Sequence, residues 1–276
     1  MNIALIEDPS DRRLSDYRNV PDPELIERRG IFVAEGRLVV RRLLLESTFP
    51  TRSVLVTETA LTALSDAVRQ RSDVPVFVVP QPLMDAVTGF NIHRGCLAIG
   101  ERPTPRAWQE ILEHPRARDP KPKTIVILER IGNADNVGGI FRNAAAFDVA
   151  GVLLDPMSTD PLYRKAIRTS MGAALTIPFA RMEPWPDAID ELHANGFDTI
   201  ALTPATDAPT LSSIVQSLGE RPAALFLGHE GDGLSDSAFC RCTHRARIPI
   251  TSLVDSLNVA SACGIALYEL ARRANA

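Results

Sequence analysis

The chain is most informative first through what it lacks. It has no run of apolar residues approaching the ~20 that a helix needs to span a bilayer, and its start, MNIALIEDPSDRR, shows no basic segment followed by a long apolar core. No membrane span and no secretory leader are therefore expected, and the expected location is the cytoplasm. Cysteine is scarce: Cys96, Cys240, Cys242 and Cys263 offer no disulfide framework. In CRCTH, Cys240, Cys242 and His244 alternate, but paired Cys-x-x-Cys knuckles and a fourth ligand are missing, so no metal is expected and packing of small thiols accounts for them better. Excess positive charge is also absent, since the formal net charge is −4, so any nucleic-acid role must rest on local clusters. Arg164, Lys165 and Arg168 form one, Arg241, His244, Arg245 and Arg247 another, and arginines including Arg37, Arg41 and Arg42 punctuate the N-terminal region. For any one of them the solvated face of a helix is the plainer reading.

What is present fits a two-domain globular chain. Its 276 residues are about twice a common domain length, and 45% apolar with 23% charged residues is too apolar for disorder. In the N-terminal part, AEGRLVVRRLLLES and LTALSDAVRQR have helical spacing, while SDVPVFVVPQPLMDAVTG and HRGCLAIG look like strand, turn and strand material. Residues 101 to 123, Pro-rich and charged with at most a short helix around Trp108 to Leu112, read as an interdomain linker. We therefore expect domains over 1–105 and 123–276, joined by 106–122. From Lys123 onward, apolar strands of four to seven residues (TIVILER, GVLLDP, LTIPFA, DTIALTP, AALFLGHE, RARIPI) alternate with helices, ending in a long helix over 256–274. That alternation predicts an α/β fold with a mostly parallel sheet covered on both faces, whose sites lie in loops at the carboxyl ends of its strands.

Three such loops are unusual. The first, RIGNADNVGGIFR, has neither G-x-G-x-x-G spacing nor a P-loop lysine. It offers instead a helix N-terminus flanked by Asn133 and Asn136 with Arg142 beyond, which suits a phosphate or ribose oxygen. A helix capped by Asn136 with an incidental surface arginine is the plainer alternative. The second, LGHEGDGLS, packs Gly228, Gly231 and Gly233 around Glu230 and Asp232, where glycines permit close backbone approach. In the third, IPITSLVDSLN, Asp255 or Ser256 is expected to cap the final helix, with Asn258 in its first turn.

Taken in order, NxxNxGxxxR, GxEGxGL and IPxxxxxxSLNVA resemble the three motifs of the SPOUT superfamily of RNA methyltransferases, in its SpoU or TrmH-type branch. DPLYRKAIRTSMGA resembles the segment between the first two motifs, and FVAEGRLVVRRLL with VTGFNIHRGCLA is similar to the RNA-binding domain, of small ribosomal-protein type (α+β), often joined to it. The chain departs from the pattern at Ala134, where proline is usual, and at Arg94, where glutamine is frequent.

The resemblance implies an α/β trefoil knot, a homodimer, S-adenosylmethionine as methyl donor, and transfer to the ribose 2′-hydroxyl of tRNA or rRNA. Carried over position by position, it implies Asn136, Arg142, Glu230, Ser256 and Asn258 as the catalytic set. Gly228, Ile248 and Leu257 would bind the donor, with Thr203 a further candidate, and Arg41, Arg94, Arg164, Lys165 and Arg168 would meet RNA. A dimer face on the final helix would draw on Val259, Cys263, Leu267 and Leu270, residues that packing within one chain explains equally well. The competing expectation is a non-catalytic RNA-binding or ribosome-assembly protein that kept the knotted fold.

Overall fold

A computed structural model describes residues 2–18, 21–89, 95–113 and 123–273. Arg94, among the expected RNA contacts, and 114–122 of the expected linker lie outside the described residues. The chain forms two compact units: Met1–Thr104 with Pro161–Thr176, and Pro105–Asp160 with Ile177–Ala276.

The first unit contains a five-stranded mixed sheet built from β1 (Ile3–Leu5), β2 (Ile31–Glu35), β3 (Thr51–Val56), β4 (Val76–Val78) and β5 (Cys96–Glu101), in the order β1-β4-β3-β5-β2. β4 runs parallel to β1 and β3, whereas β5 runs antiparallel to β3 and β2. Its helices are α1 (Arg37–Leu45), α2 (Glu58–Gln70) and α3 (Gln81–Thr88). The stretch QPLMDAVTG, expected as turn and strand, is thus a helix. Pro82 sits in the first turn, Leu83, Met84 and Val87 are buried at helical spacing, and Gly89 ends it with φ 79°, a left-handed C-terminal cap.

The second unit begins with α4 (Gln109–Glu113), β6 (Thr124–Leu128), α5 (Ala134–Ala146) and β7 (Gly151–Leu154). Between β7 and the next strand, Pro161–Thr176 belongs to the first unit and carries α6 (Arg164–Thr169). The chain continues through β8 (Phe179–Arg181), α7 (Ile189–Ala194), β9 (Asp198–Leu202), α8 (Leu211–Leu218), β10 (Ala223–Leu227), α9 (Asp236–Phe239), β11 (His244–Ala246) and α10 (Val259–Arg272). The six strands of this unit pair only in parallel, in the order β11-β9-β10-β6-β7-β8, which is the α/β sheet expected. Central strands β6 and β10 are apolar apart from Thr124 at the start of β6, as expected where both sheet faces are covered; Ile125, Ile127, Leu153, Phe226, Ile189 and Leu192 belong to one buried cluster.

The order of the sheet matters for function. β11, β9 and β10 are neighbours, so their carboxyl ends, near Ala246, Leu202 and Leu227, lie side by side. α10 packs against α5: Asn143 Nδ2 donates to the Ala260 carbonyl at 2.7 Å. Val259, Cys263, Leu267 and Leu270 of α10 are buried within the chain. They are core residues and not an open dimer face; Ile265 and Tyr268 are the large apolar side chains of that helix left exposed. No helix among the described residues is long and apolar enough to cross a membrane.

Candidate active site at the strand ends

Two asparagines organise the site, each differently from expectation. Asn133, not Asn136, is the N-cap of α5: its side chain accepts from the Asp135 N–H at 2.9 Å. Asn136 lies in the first turn with a buried side chain, 6% exposed, and so is free of capping duty. The final helix starts at Val259, later than expected, because Asn258 itself is its cap. Asn258 Oδ1 accepts from the backbone N–H groups of Ala260 at 3.0 Å and Ser261 at 3.2 Å. Neither Asp255 nor Ser256 performs that role.

The capping geometry fixes the polarity of everything that follows. With Oδ1 of Asn258 committed to α10, its Nδ2 faces α5 and donates to Asn136 Oδ1 at 2.9 Å. Asn136 must then present its own Nδ2 outward, and that group donates to Glu230 Oε1. The result is a one-way hydrogen-bond chain from the α10 cap through Asn136 to a carboxylate. Flipping either amide would set donor against donor or acceptor against acceptor.

Glu230 stands on a short loop shaped by glycine. His229 and Gly233 exchange backbone hydrogen bonds, both 3.0 Å, closing a turn in which Gly233 adopts φ 72°. A Cβ on Gly228 would lie 2.2 Å from both the Gly233 carbonyl carbon and the Leu234 nitrogen, so only glycine permits this closure. His229 Nδ1 accepts from the Gly231 and Asp232 N–H groups at 3.1 and 3.3 Å.

The first loop is held from beneath by residues the sequence reading passed over. Asp155, 1% exposed, accepts from the Arg130 N–H at 3.0 Å and from the Ser158 N–H and hydroxyl at 2.8 and 2.6 Å. Ser158 Oγ in turn accepts from the Ile131 N–H at 3.0 Å. Glu129, immediately after the last apolar residue of β6, is 2% exposed. A carboxylate at the boundary of an otherwise apolar strand was the available signal for both acids.

Hydrogen bonds bring Asn136, Glu230 and Asn258 together; among the described residues neither Arg142 nor Ser256 is hydrogen-bonded to them. Ser256 is exposed in the segment before α10. Arg142 is exposed on α5; at 100° per residue, six positions carry it about 120° around the helix from Asn136, whereas Asn143 shares the Asn136 face and meets α10. Among the expected donor-binding residues, Thr203, Gly228 and Ile248 follow the adjacent strands β9, β10 and β11 and are partly buried, as is Leu257. Thr203 N–H donates to the Ala246 carbonyl at 2.9 Å, tying the ends of β9 and β11. These adjoining strand ends, with a glycine that admits no Cβ and no charged side chain among the four residues, suit a ligand held largely through backbone.

In the first unit, three expected RNA contacts, Arg41, Arg164 and Arg168, already have acidic partners. Arg41 meets Asp66 at 2.6 Å and Arg164 meets Asp22 at 2.9 Å. Lys165 and Arg168 are exposed, with Glu35 3.8 Å from Arg168. Neither Cys242 nor Cys263 is poised as a nucleophile. Burial, and secondarily the Glu129 charge, pushes the Cys242 thiol up to about 12, and burial alone raises Cys263 further. Among the described residues no cluster of three metal-ligating side chains occurs.

The chain is similar to several known proteins. The model of the SpoU rRNA Methylase family matches residues 123–268. An uncharacterized tRNA/rRNA methyltransferase of Mycobacterium bovis is 36% identical over 277 residues, covering 99% of this chain and 93% of that relative. The AdoMet-bound rRNA methyltransferase of Sinorhizobium meliloti superposes with a TM-score of 0.81 at 25% identity, covering 99% of this chain and 98% of that one. The SpoU methyltransferase AviRb of Streptomyces viridochromogenes, in complex with AdoMet, shares the fold with a TM-score of 0.77 at 21% identity, over 95% and 98% of the two chains.

Proposed function

The chain belongs to the SpoU rRNA methylase family, and from that premise we propose that it methylates the ribose 2′-hydroxyl of a tRNA or rRNA, with S-adenosylmethionine as donor. The observation that carries the reading is the directional chain from Asn258 through Asn136 to Glu230, beside the joined carboxyl ends of β9, β10 and β11.

S-adenosylmethionine, when bound, supplies an electrophilic methyl group. Thr203, Gly228, Ile248 and Leu257 would hold it, chiefly through backbone groups. The protein's remaining task is to align a poor nucleophile and assist its proton loss. Glu230, its carboxylate oriented by Asn136, would accept a hydrogen bond from the donor or the ribose, and Ser256 would complete the polar wall. Arg142 carries no ion pair among the described residues and would act as a fixed cation for the phosphate and the developing alkoxide. A guanidinium holds its proton too firmly to serve as a base at neutral pH, so its part is electrostatic. Lys165 and Arg168, with Arg41, Arg94 and Arg164, would supply the first unit's RNA contacts.

The same reading includes a trefoil knot in the second unit, cytoplasmic action, no requirement for metal, and a homodimer. Exposed Ile265 and Tyr268, the latter edge-on to Phe147 with ring centroids 6.3 Å apart, are the apolar surface we assign to the second copy. Mapping ribose methylation across cellular RNA with and without the gene tests the function. Loss of one 2′-O-methyl mark is expected, and an unchanged map refutes it.

A further inference from the structure

Glu129 is a buried carboxylate that none of the preceding steps uses. At 2% exposure, it has no cation within ion-pair reach among the described residues. Neutral donors satisfy it instead. Trp185 Nε1 and Ser235 Oγ donate to Oε1 at 2.9 and 2.6 Å, and the Ser235 N–H donates to Oε2 at 2.8 Å. A buried carboxylate without a cation is costly to keep charged. An apolar residue of similar size would fill the same space at lower cost, so packing alone does not explain an acid here.

Its placement does. The Glu129 backbone N–H donates to the Leu227 carbonyl at 2.9 Å, the residue directly before the 228–234 loop. Its side chain holds Ser235, the residue directly after that loop. One residue therefore ties both ends of the loop that carries Glu230. Ser235 is in addition the N-cap of α9, accepting from the Ala238 N–H at 3.3 Å, so the far end is anchored to a helix as well.

We infer that Glu129 is a positioning residue, which fixes the 228–235 loop in register with β6 and so keeps Glu230 against Asn136. This rests on the methyltransferase reading for its effect on turnover, but not for its effect on the loop. Glutamine at 129 keeps size and shape but loses an acceptor. With its oxygen toward Trp185 and the Ser235 hydroxyl, its NH2 opposes the Ser235 N–H; turned over, it opposes the Trp185 N–H.

The test compares the full-length wild type with Glu129→Gln by amide hydrogen exchange and by methyl transfer at saturating S-adenosylmethionine and RNA. Exchange over 228–236 should accelerate about tenfold to a hundredfold, the loss expected for one buried charge-assisted hydrogen bond, while β7 is unchanged. Turnover should fall by a similar factor in Glu129→Gln. In a Glu230→Gln background, the added Glu129→Gln change should cost little more, because the loop it positions no longer carries the acid. Wild-type exchange over 228–236, or a fully additive loss in the double variant, overturns the inference. Should Glu129→Gln fail to fold, Ser235→Ala removes the hydroxyl bond from the loop side and should shift exchange in the same direction; unchanged exchange there overturns the inference too. An inactive wild type would refute the methyltransferase reading while leaving the exchange result readable.

Discussion

Asn258 separates a stability role from a site role within one side chain. Its oxygen caps α10 and its amide nitrogen orients Asn136. Asn258→Ala removes both. Loss of the cap costs about 1 kcal/mol, and leaving the buried Asn136 oxygen without its donor costs about 1–3 kcal/mol. The sum, about 2–4 kcal/mol, corresponds to a melting temperature lower by roughly 4–16 °C for a unit of this size. Asn258→Asp divides the two roles. A carboxylate caps as well as an amide and favours the helix N-terminus, so melting should stay much closer to wild type. It has no N–H for Asn136, however, and adds negative charge near Glu230. Asn136 then either turns over, withdrawing its donor from Glu230, or sits oxygen to oxygen. A displacement on the order of 1 Å at a reacting constellation costs about 10²-fold in rate. The assay is thermal melting beside single-turnover methyl transfer for both variants. If Asn258→Asp melts like wild type and also turns over like wild type, the directional chain has no part in the site.

Gly228→Ala would drive a Cβ to 2.2 Å from backbone atoms of Gly233 and Leu234, so the loop must open; calorimetric titration should show S-adenosylmethionine binding lost or weakened more than about tenfold, since backbone cannot yield as a side chain would. Gly139→Ala places a Cβ 2.8 Å from Ala260 Cβ at the α5–α10 contact and should destabilise by about 1–3 kcal/mol in chemical denaturation. Burial raises the Cys242 thiol from its ordinary 9.0 to about 12, and Cys263 moves the same way. The unfolded chain therefore sheds these protons first, and denaturation midpoints should be flat below pH ~9 and fall between there and pH ~12. Arg142→Lys keeps the charge but loses the planar fork; turnover should drop with RNA affinity largely kept, and near-normal rates would argue against a bidentate contact.

The parallel sheet was legible because buried strands write themselves as short apolar runs, and TIVIL, GVLL and AALFL each became one. α3 was misread because Pro82 and Gly89 look like turn residues when they are a helix's first turn and terminator. The three motif loops contained Asn136, Glu230 and Asn258, which hydrogen-bond to one another, but their spacing did not give the duty of each. Whether Asn133 or Asn136 caps α5, and whether Ser256 or Asn258 caps α10, depends on backbone angles that composition does not encode. Once the caps are known, the amide orientations follow. Glu129 and Asp155 escaped notice for a related reason: their partners, Trp185 and Ser235, or Ser158 and the Arg130 N–H, are distant in sequence and meet only through the fold.

The central claim is that the nucleophile is a ribose hydroxyl. Purified protein incubated with S-adenosylmethionine labelled in its methyl group and with total RNA, followed by alkaline hydrolysis, reads this directly, because 2′-O-methylation blocks cleavage of the adjoining phosphodiester. Label recovered in alkali-resistant dinucleotides is the predicted result. Label recovered only in mononucleotides methylated on the base, or no transfer at all, would contradict it.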